Sequence, residues 1–230
     1  MEYLPGGFTL ELAEGCFPFS TDSAVLAQFA KLPRNARVLD LGSGCGTLGL
    51  MLCAKDPACR VTGMELDPRA HDAALENIRR NGIEDRMESI CADLRDLPSL
   101  FSPGSFSCIV SNPPYFSGGP ASRSFPTARR EDHCSCAELM KAAGWALKFG
   151  GDFFLVHRPE RLSELVIQAS ANGMELKRLQ LLRHKQDGEI NLIFLQLRKG
   201  GKPGVIWEEN SLYDQNGNPT PYFRSVYHIE

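Results

Sequence analysis

A glycine-rich stretch, VLDLGSGCG, follows an apolar run and precedes a helical pattern. Its glycines, Gly42, Gly44 and Gly46, would let a ligand approach the backbone closely, although a purely structural turn could also use them. The G-x-G-x-G spacing differs from the dinucleotide fingerprint G-x-G-x-x-G. Asp40 stands just before the first glycine, where a carboxylate would repel a pyrophosphate and attract a cation. We therefore expect a loop that binds a ligand with a positively charged group.

Two further carboxylates follow the next two apolar runs. Glu65 ends the second run and Asp93 ends the third. By the geometry of dinucleotide-binding folds, Glu65 is placed to accept hydrogen bonds from ribose hydroxyls, and Asp93 could meet an adenine amino group. The carboxyl ends of parallel strands meet at one edge of an open sheet, where ligands bind. Three acids and a glycine loop at successive strand ends therefore predict one shared site.

A second stretch, SNPPYF, ends the fourth apolar run. Pro113 and Pro114 stop the hydrogen-bond ladder of a strand and hold the chain extended. Asn112 and Tyr115 flank these prolines, so the stretch presents one amide and one aromatic ring at a rigid corner. A plain proline turn is the alternative, and the ligand loop upstream favours a binding corner.

The elements that must position these residues alternate along the chain. Strands are predicted for the apolar runs at 36–41, 60–65, 87–93, 106–110 and 151–158, and helices for 20–32, 47–56, 68–82 and 136–151. This alternation favours an α/β fold with a parallel sheet and helices on both faces. A hairpin formed by 177–184 and 191–200 is expected to close one edge of that sheet.

The same pattern suggests three parts of the chain. We expect an N-terminal extension with one helix at 1–35, a main domain at 36–200 and a C-terminal extension at 201–230. The last part is rich in turn residues, and we expect it to pack as an irregular segment.

Charge and composition bound the class of protein. The net charge is −3, but residues 117–205 carry +5 and the remainder −8. This asymmetry is either a chance distribution or a surface that faces an anion such as a nucleic-acid backbone. No apolar run approaches the roughly 18 residues of a membrane span, and the first residues do not resemble a secretory signal. We expect a cytoplasmic protein without a membrane partner.

One cluster of possible metal ligands, His133-Cys134-Ser135-Cys136, stands out. It has no second ligand pair at the spacing of a zinc site. We therefore predict no metal.

The elements DLGSGCG, Glu65, Asp93 and SNPPY, in this order, resemble the class I S-adenosylmethionine-dependent methyltransferases. The resemblance covers about residues 20–200. It implies a Rossmann-like α/β fold, with a seven-stranded, mostly parallel sheet, helices on both faces and an antiparallel strand at one edge. It also implies S-adenosylmethionine as the cofactor.

In this family the glycine loop lies against the methionine part of the cofactor, the second-strand acid binds the ribose and the third-strand acid binds the adenine. The resemblance carries these roles to Gly42, Gly44, Glu65 and Asp93. The complete set of cofactor-binding residues that we predict is Asp40, Gly42, Gly44, Glu65, Asp93 and Asn112.

The NPPY corner of this family holds a planar amide or an aromatic amine beside the methyl donor. We predict that the Asn112 carboxamide oxygen and the Pro113 carbonyl each accept one N–H of the acceptor amine. Tyr115 would stack on the planar group, with Pro114 lining the same corner. Catalysis by such a site is mostly positioning for an in-line displacement.

The flanks FSTDSAVLAQFA, SFPTARREDHCS and GDFFLVHRPERLSEL are similar to the tRNA (adenine-N6)-methyltransferases that act beside the anticodon of valine tRNA, within the small-methyltransferase group. Members read A-R-H-E where this chain reads A-R-R-E, so that Arg130 replaces the usual histidine. The resemblance implies methylation of the exocyclic amine of an adenine, with tRNA as the partner. We expect Arg123, Arg129 and Arg130, in the long stretch 116–131, to contact phosphates near the target base.

Two alternatives stay open at this point. NPPY also serves enzymes that methylate the glutamine side chain of a protein, although these usually carry an N-terminal helical substrate domain, for which 35 residues leave little room. A binding module that keeps the fold without turnover is the other alternative, and the intact set of motifs disfavours it.

Overall fold

The structure is a computed structural model of the 230-residue chain, and it describes residues 2–13, 19–113 and 134–228. The strands in these ranges are β1 (Glu2–Tyr3), β2 (Thr9–Leu10), β3 (Arg37–Leu41), β4 (Arg60–Glu65), β5 (Met87–Cys91), β6 (Phe106–Ser111), β7 (Leu147–His157), β8 (Met174–Lys185), β9 (Ile190–Lys199) and β10 (Ile206–Tyr213). The helices are α1 (Thr21–Phe29), α2 (Thr47–Lys55), α3 (Pro68–Arg80), α4 (Leu97–Leu100), α5 (Cys136–Ala146), α6 (Leu162–Ala171) and α7 (Pro221–Tyr227). Short 3₁₀ turns at Leu94–Asp96 and Pro159–Arg161 precede α4 and α6.

Eight strands form one sheet in the order β10-β8-β9-β7-β6-β3-β4-β5. All neighbouring strands in it pair in parallel except β9, which is antiparallel to both β7 and β8. The small strands β1 and β2 pair with each other as a separate antiparallel hairpin. The predicted α/β class, with a mostly parallel sheet, is therefore confirmed.

The details of the sheet differ from the sequence prediction in two respects. The sheet has eight strands rather than seven, and the antiparallel strand β9 lies third from the edge instead of at it. The additional strand, β10, belongs to the segment that we expected to be irregular. Along β10 only Leu212 is buried. An edge strand covered on so little of its surface lacks the apolar run by which buried strands are predicted.

Hydrophobic side chains fill a layer on each face of the sheet. Neighbouring residues of a strand point to opposite faces, and Val38 and Leu39 of β3 accordingly belong to different core clusters. Helices α1, α2 and α3 cover the first face, and α4, α5 and α6 cover the second. Each helix in the described parts of the chain is too short or too polar to span a lipid bilayer.

Most helix boundaries follow their local signals. Asp67 caps α3 and Pro68 occupies its first turn, positions that these residue types favour. Helix α5 is different, because it ends at Ala146 while the prediction extended it to residue 151. β7 already begins at Leu147, which pairs with Phe106 of β6. The start of β7 was missed because its side chains at 148 and 149 are exposed and show no strand pattern.

Candidate active site

The ends of three neighbouring strands bring predicted site residues to one edge of the sheet. β3 lies between β4 and β6, and Asp40 on β3 is level with Gly63 on β4 and Val110 on β6. The chain runs from β3 outward to β4 and β5, and then returns to β6 on the other side of β3. The strand order therefore reverses between β3 and β6, and such a point is where open α/β sheets bind ligands.

The loop after β3 turns sharply through glycines. Gly42 and Gly44 have φ angles of 73° and 55°, a left-handed backbone that residues with a Cβ adopt only with strain. The Gly42 amide donates to the carbonyl oxygen of Met64 on β4 at 2.9 Å, which fixes the start of the loop. A Cβ built on either glycine would meet no atom within 4 Å. The space in front of both glycines is open, as a ligand lying against the loop requires.

Glu65, at the end of β4, is tied to this loop by its carboxylate. One oxygen accepts from the Gly44 amide and the other from the Asp67 amide, each at 2.8 Å. A carboxylate has about four lone-pair sites, so both oxygens can still accept hydroxyl groups. Glu65 thus orients the glycine loop, and its predicted contact with ribose hydroxyls stays compatible with this geometry.

Asp40 is a buried carboxylate, with 1% of its surface exposed. The pKa of Asp40 is raised to about 7, first by burial and then by the charge of Glu65, while a hydrogen bond from the backbone amide of Gly49 acts in the opposite direction. Its Oδ2 atom has no hydrogen-bond partner among the described residues. An unsatisfied buried carboxylate oxygen is costly, and a cationic group bound beside it would remove that cost.

Asp93 is engaged by its own chain. Its side chain caps the 3₁₀ turn that precedes α4, and it accepts from the Arg95 backbone amide at 2.8 Å. The Arg95 guanidinium donates to both carboxylate oxygens, from Nε at 2.8 Å and from a terminal nitrogen. The adenine contact stays a prediction, and an adenine amine would have to share this carboxylate with Arg95.

Asn112 follows β6 directly and lies at the same edge as the glycine loop. Its side-chain nitrogen Nδ2 donates to the hydroxyl oxygen of Ser23 on α1 at 3.0 Å. This contact leaves the carboxamide oxygen available to accept from another molecule. Just before it, the buried Ser111 hydroxyl donates to the Leu41 carbonyl at 2.8 Å, which ties the end of β6 to the end of β3.

The remaining predicted site residues lie outside the described ranges. These are Pro114, Tyr115, Arg123, Arg129 and Arg130. Pro113 is the last described residue before this gap, and it is buried. The stacking role of Tyr115 and the phosphate contacts of the three arginines stay predictions.

Comparison with known families shows the class of this protein. Residues 19–178 match the methyltransferase small domain family. The chain belongs to this family. Its membership confirms the predicted methyltransferase class, with S-adenosylmethionine as the methyl donor.

Two relatives of this methyltransferase carry the same name. A tRNA1(Val) (adenine(37)-N6)-methyltransferase from Actinobacillus pleuropneumoniae is 29% identical over 210 residues, which are 90% of this chain and 87% of that protein. A protein of that name from Bacteroides fragilis is 34% identical over 157 residues, 67% of this chain and 65% of that protein. A solved structure described as a predicted O-methyltransferase, from Agrobacterium tumefaciens, superposes with a TM-score of 0.74 at 17% identity, over 91% of this chain and 96% of that one. At that identity, the likeness concerns the fold alone.

The described residues of this methyltransferase fit S-adenosylmethionine. The methionine part of that molecule carries an ammonium group, and the unsatisfied oxygen of Asp40 is the acceptor that a cation requires. The open space at Gly42 and Gly44 allows a bulky group to lie against the loop. Glu65 retains acceptor capacity next to that loop. The individual role of each residue stays a prediction that this fit supports.

Sequence reasoning missed a second support of the glycine loop, which comes from α3. The Asn77 side chain is fully buried and exchanges two hydrogen bonds with the Glu11 backbone, both at 2.8 Å. Its Nδ2 also donates to the Cys45 carbonyl in the glycine loop at 3.0 Å. One turn later, Asn81 exchanges two hydrogen bonds with the Thr9 backbone, at 2.9 and 2.8 Å. The N-terminal segment, residues 2–13, is thus attached to α3, and through Asn77 to the glycine loop.

One signal could have pointed to these supports. Asn77 lies inside the amphipathic helix α3, whereas Asn81 is the residue at its C-cap. Asparagine is unfavourable in a helix interior unless its side chain has a partner, so Asn77 is the position that stands out. The contact between Ser23 and Asn112 left no such signal. Ser23 lies three residues after Ser20, the residue that caps α1, and a sequence shows the cap but not what else a serine in that first turn touches.

Proposed function

We propose that this methyltransferase transfers the methyl group of S-adenosylmethionine to the exocyclic amine of an adenine in tRNA. The observation that carries the proposal is the Asn112 carboxamide at the reversal point of the sheet. Its nitrogen donates to the Ser23 hydroxyl at 3.0 Å, and its oxygen can therefore accept an N–H of the amine. The names of the relatives, which act on adenine 37 of tRNA1(Val), support adenine as the acceptor base.

The chain's own residues present the acceptor amine. S-adenosylmethionine, when bound, supplies an electrophilic methyl group on its sulfonium. The Asn112 oxygen and the Pro113 carbonyl each accept one N–H of the amine, and they thereby fix the position and the plane of the amino group. Both acceptors draw on the N–H hydrogens, which leaves more electron density on the nitrogen. Catalysis is then largely the positioning of two bound reactants, which is worth several orders of magnitude in rate.

Tyr115 and three arginines of the stretch 116–131 complete the proposal for the RNA. Tyr115 stacks on the face of the adenine, because an aromatic ring tolerates any base plane next to it. An adenine in a folded anticodon arm has to leave its stack to reach Asn112, at a cost of a few kcal/mol. Arg123, Arg129 and Arg130 offset this cost by contacts with nearby phosphates. The reaction belongs to the cytoplasm, where tRNA is modified.

A transcript with a single changed base tests the proposal. The protein is incubated with methyl-labelled S-adenosylmethionine and either tRNA1(Val) or the same tRNA with guanine in place of adenine 37, the position named in the relatives. Nuclease digestion and chromatography then measure labelled N6-methyladenine. We expect label from the first transcript and none from the second. Label in neither RNA, together with label in glutamine residues of a release factor, would show that the acceptor is a protein side chain and not an adenine.

A further inference from the structure

We propose that Ser23 is a positioning residue that holds the Asn112 carboxamide in place for the acceptor amine. The two residues are 89 positions apart in the sequence, and Asn112 Nδ2 lies 3.0 Å from Ser23 Oγ. Ser23 is almost entirely buried, with 8% of its surface exposed. The proposal rests on the proposed function, because it concerns the same acceptor corner.

The two ends of a carboxamide have opposite hydrogen-bonding character. The oxygen accepts and the NH2 group donates, and a half-turn about the last side-chain bond exchanges them with little change in shape. Only the oxygen end can receive an N–H from an adenine amine, whereas the NH2 end would face it donor to donor. Ser23 Oγ holds the NH2 end at 3.0 Å, which leaves the oxygen end for the amine.

The surroundings of Ser23 direct its oxygen to act as an acceptor. The Ser20 hydroxyl donates to Ser23 Oγ at 3.4 Å, and Ser20 Oγ in turn accepts from the Ser23 backbone amide at 3.3 Å as the cap of α1. A hydroxyl oxygen has two lone pairs, and here Ser20 and Asn112 use both. The NH2 end of Asn112 completes this set and is thereby held against α1.

Helix α1 is held firmly enough to serve as a reference for Asn112. Lys55 on α2 donates to three carbonyl oxygens at the carboxyl end of α1, at 2.8 to 2.9 Å. At the other end, the Thr21 hydroxyl and the Tyr227 hydroxyl are 2.9 Å apart. The position of Ser23 is therefore fixed by contacts at both ends of its helix.

Single-turnover kinetics with tRNA tests the proposal. The Ser23→Ala variant should react roughly tenfold more slowly, as expected for the loss of one orienting hydrogen bond. Its affinity for S-adenosylmethionine and its KM for tRNA should stay at the parent values. The Ser23→Thr variant retains the hydroxyl and should recover most of the rate. Ser225→Ala serves as the matched control, because its exposed hydroxyl donates only to the Tyr222 carbonyl of its own helix.

A double-mutant cycle separates orientation from packing. In an Asn112→Ala background, Ser23→Ala should cause no further loss of rate, because there is no carboxamide left to orient. A parental rate in Ser23→Ala, equal losses in the Ala and Thr variants, or additive losses in the double mutant would each overturn the proposal. A parent enzyme that fails to methylate tRNA would instead overturn the proposed function, so the two failures are distinguishable.

Discussion

Two carboxylates beside the glycine loop have different surroundings and therefore different properties. Glu65 accepts a hydrogen bond from one backbone amide at each oxygen. Asp40 is buried, and its Oδ2 has no hydrogen-bond partner in the described part of the chain. Burial and the nearby Glu65 raise the pKa of Asp40 to about 7. Asp40 is thus the residue at which cofactor binding should depend on pH.

The affinity for S-adenosylmethionine should rise with pH up to about 7 and then level off. Below its pKa of about 7, Asp40 is neutral and must lose a proton before it can attract the ammonium group. One such proton changes the affinity by up to about tenfold per pH unit. Calorimetry from about pH 5.5 to about pH 8.5 measures this slope. Asp40→Asn should bind more weakly and without the slope, and a parent affinity that stays constant over this range would contradict the assignment.

The raised pKa of Asp40 also predicts that the protein without cofactor becomes less stable as the pH rises, whereas its cofactor affinity increases. The folded state holds the Asp40 proton up to about pH 7, whereas the unfolded chain releases it near 4. The free energy of unfolding therefore falls between these two pH values as the pH rises. Asp40→Asn has no carboxyl group to lose this proton. The melting temperature of the variant minus that of the parent should therefore be larger above pH 7 than near pH 4. An equal difference at both pH values would contradict it.

Among the helices, α3 connects the N-terminal segment to the cofactor loop. Asn77 in α3 and Asn81 at its C-cap both bond to the backbone of this segment, but only Asn77 also reaches the glycine loop, at the Cys45 carbonyl. Replacing either asparagine should therefore weaken the attachment of the N-terminal segment, whereas only replacement of Asn77 should disturb the glycine loop.

Replacing each asparagine by alanine should separate anchoring from loop support. Asn77→Ala and Asn81→Ala should each lower the free energy of unfolding by about 1–3 kcal/mol, because each leaves backbone groups of the segment unsatisfied. Only Asn77→Ala should weaken cofactor binding, by several-fold. Urea unfolding and calorimetry measure the two effects. Equal cofactor affinities in both variants would show that Asn77 does not support the loop.

Two ion pairs link strand β10 to β8, and one of them is more buried than the other. Arg178 on β8 donates three hydrogen bonds to Glu208, at 3.0 to 3.1 Å, and only 9% of its side chain is exposed. Its guanidinium also lies over the Phe29 ring of α1, 4.3 Å from the centroid. The neighbouring pair, Arg183 and Glu209, is more exposed.

Truncation of the two glutamates should have unequal costs. Glu208→Ala leaves a buried guanidinium without its carboxylate and should lower the free energy of unfolding by about 3 kcal/mol. Glu209→Ala removes an exposed pair and should cost less than about 1 kcal/mol. Urea unfolding of both variants measures the difference. Losses of the same size would mean that β10 is held by its backbone pairing alone.

Taken as a whole, the molecule shows which features local sequence patterns can predict. The glycine loop, Glu65 and Asn112 were predicted because each follows an apolar strand, and parallel strands bring their carboxyl ends together. Strand β10 and helix α7 were not predicted, since an edge strand and a short surface helix bury too little to leave a regular apolar pattern. The contact between Ser23 and Asn112 was missed for another reason. It joins residues that are far apart in the sequence, and only the packing of α1 brings them together.

The docking of tRNA across the molecule is expected to depend on the arginines after the NPPY corner. Replacing Arg123, Arg129 and Arg130 by alanine should weaken tRNA binding and lower the slope of log affinity against log salt by about 2–3, because each lost phosphate contact removes a little less than one unit. Cofactor affinity should not change. A control variant replaces three exposed arginines at the amino ends of β3 and β4, namely Arg34, Arg37 and Arg60. Equal salt slopes in the two triple variants would exclude the phosphate contacts.

If Asn112 holds the acceptor amine, its loss should slow methyl transfer itself, and the rate of a single methyl transfer measures this. Asn112→Ala is mixed with tRNA and S-adenosylmethionine, and the rate is compared with the cofactor affinity of the same protein. We predict a loss of at least about a hundredfold in rate, as misplacement of a reactant causes, while the cofactor affinity is retained. A rate close to that of the parent, or an equal loss of cofactor affinity and rate, would contradict the account.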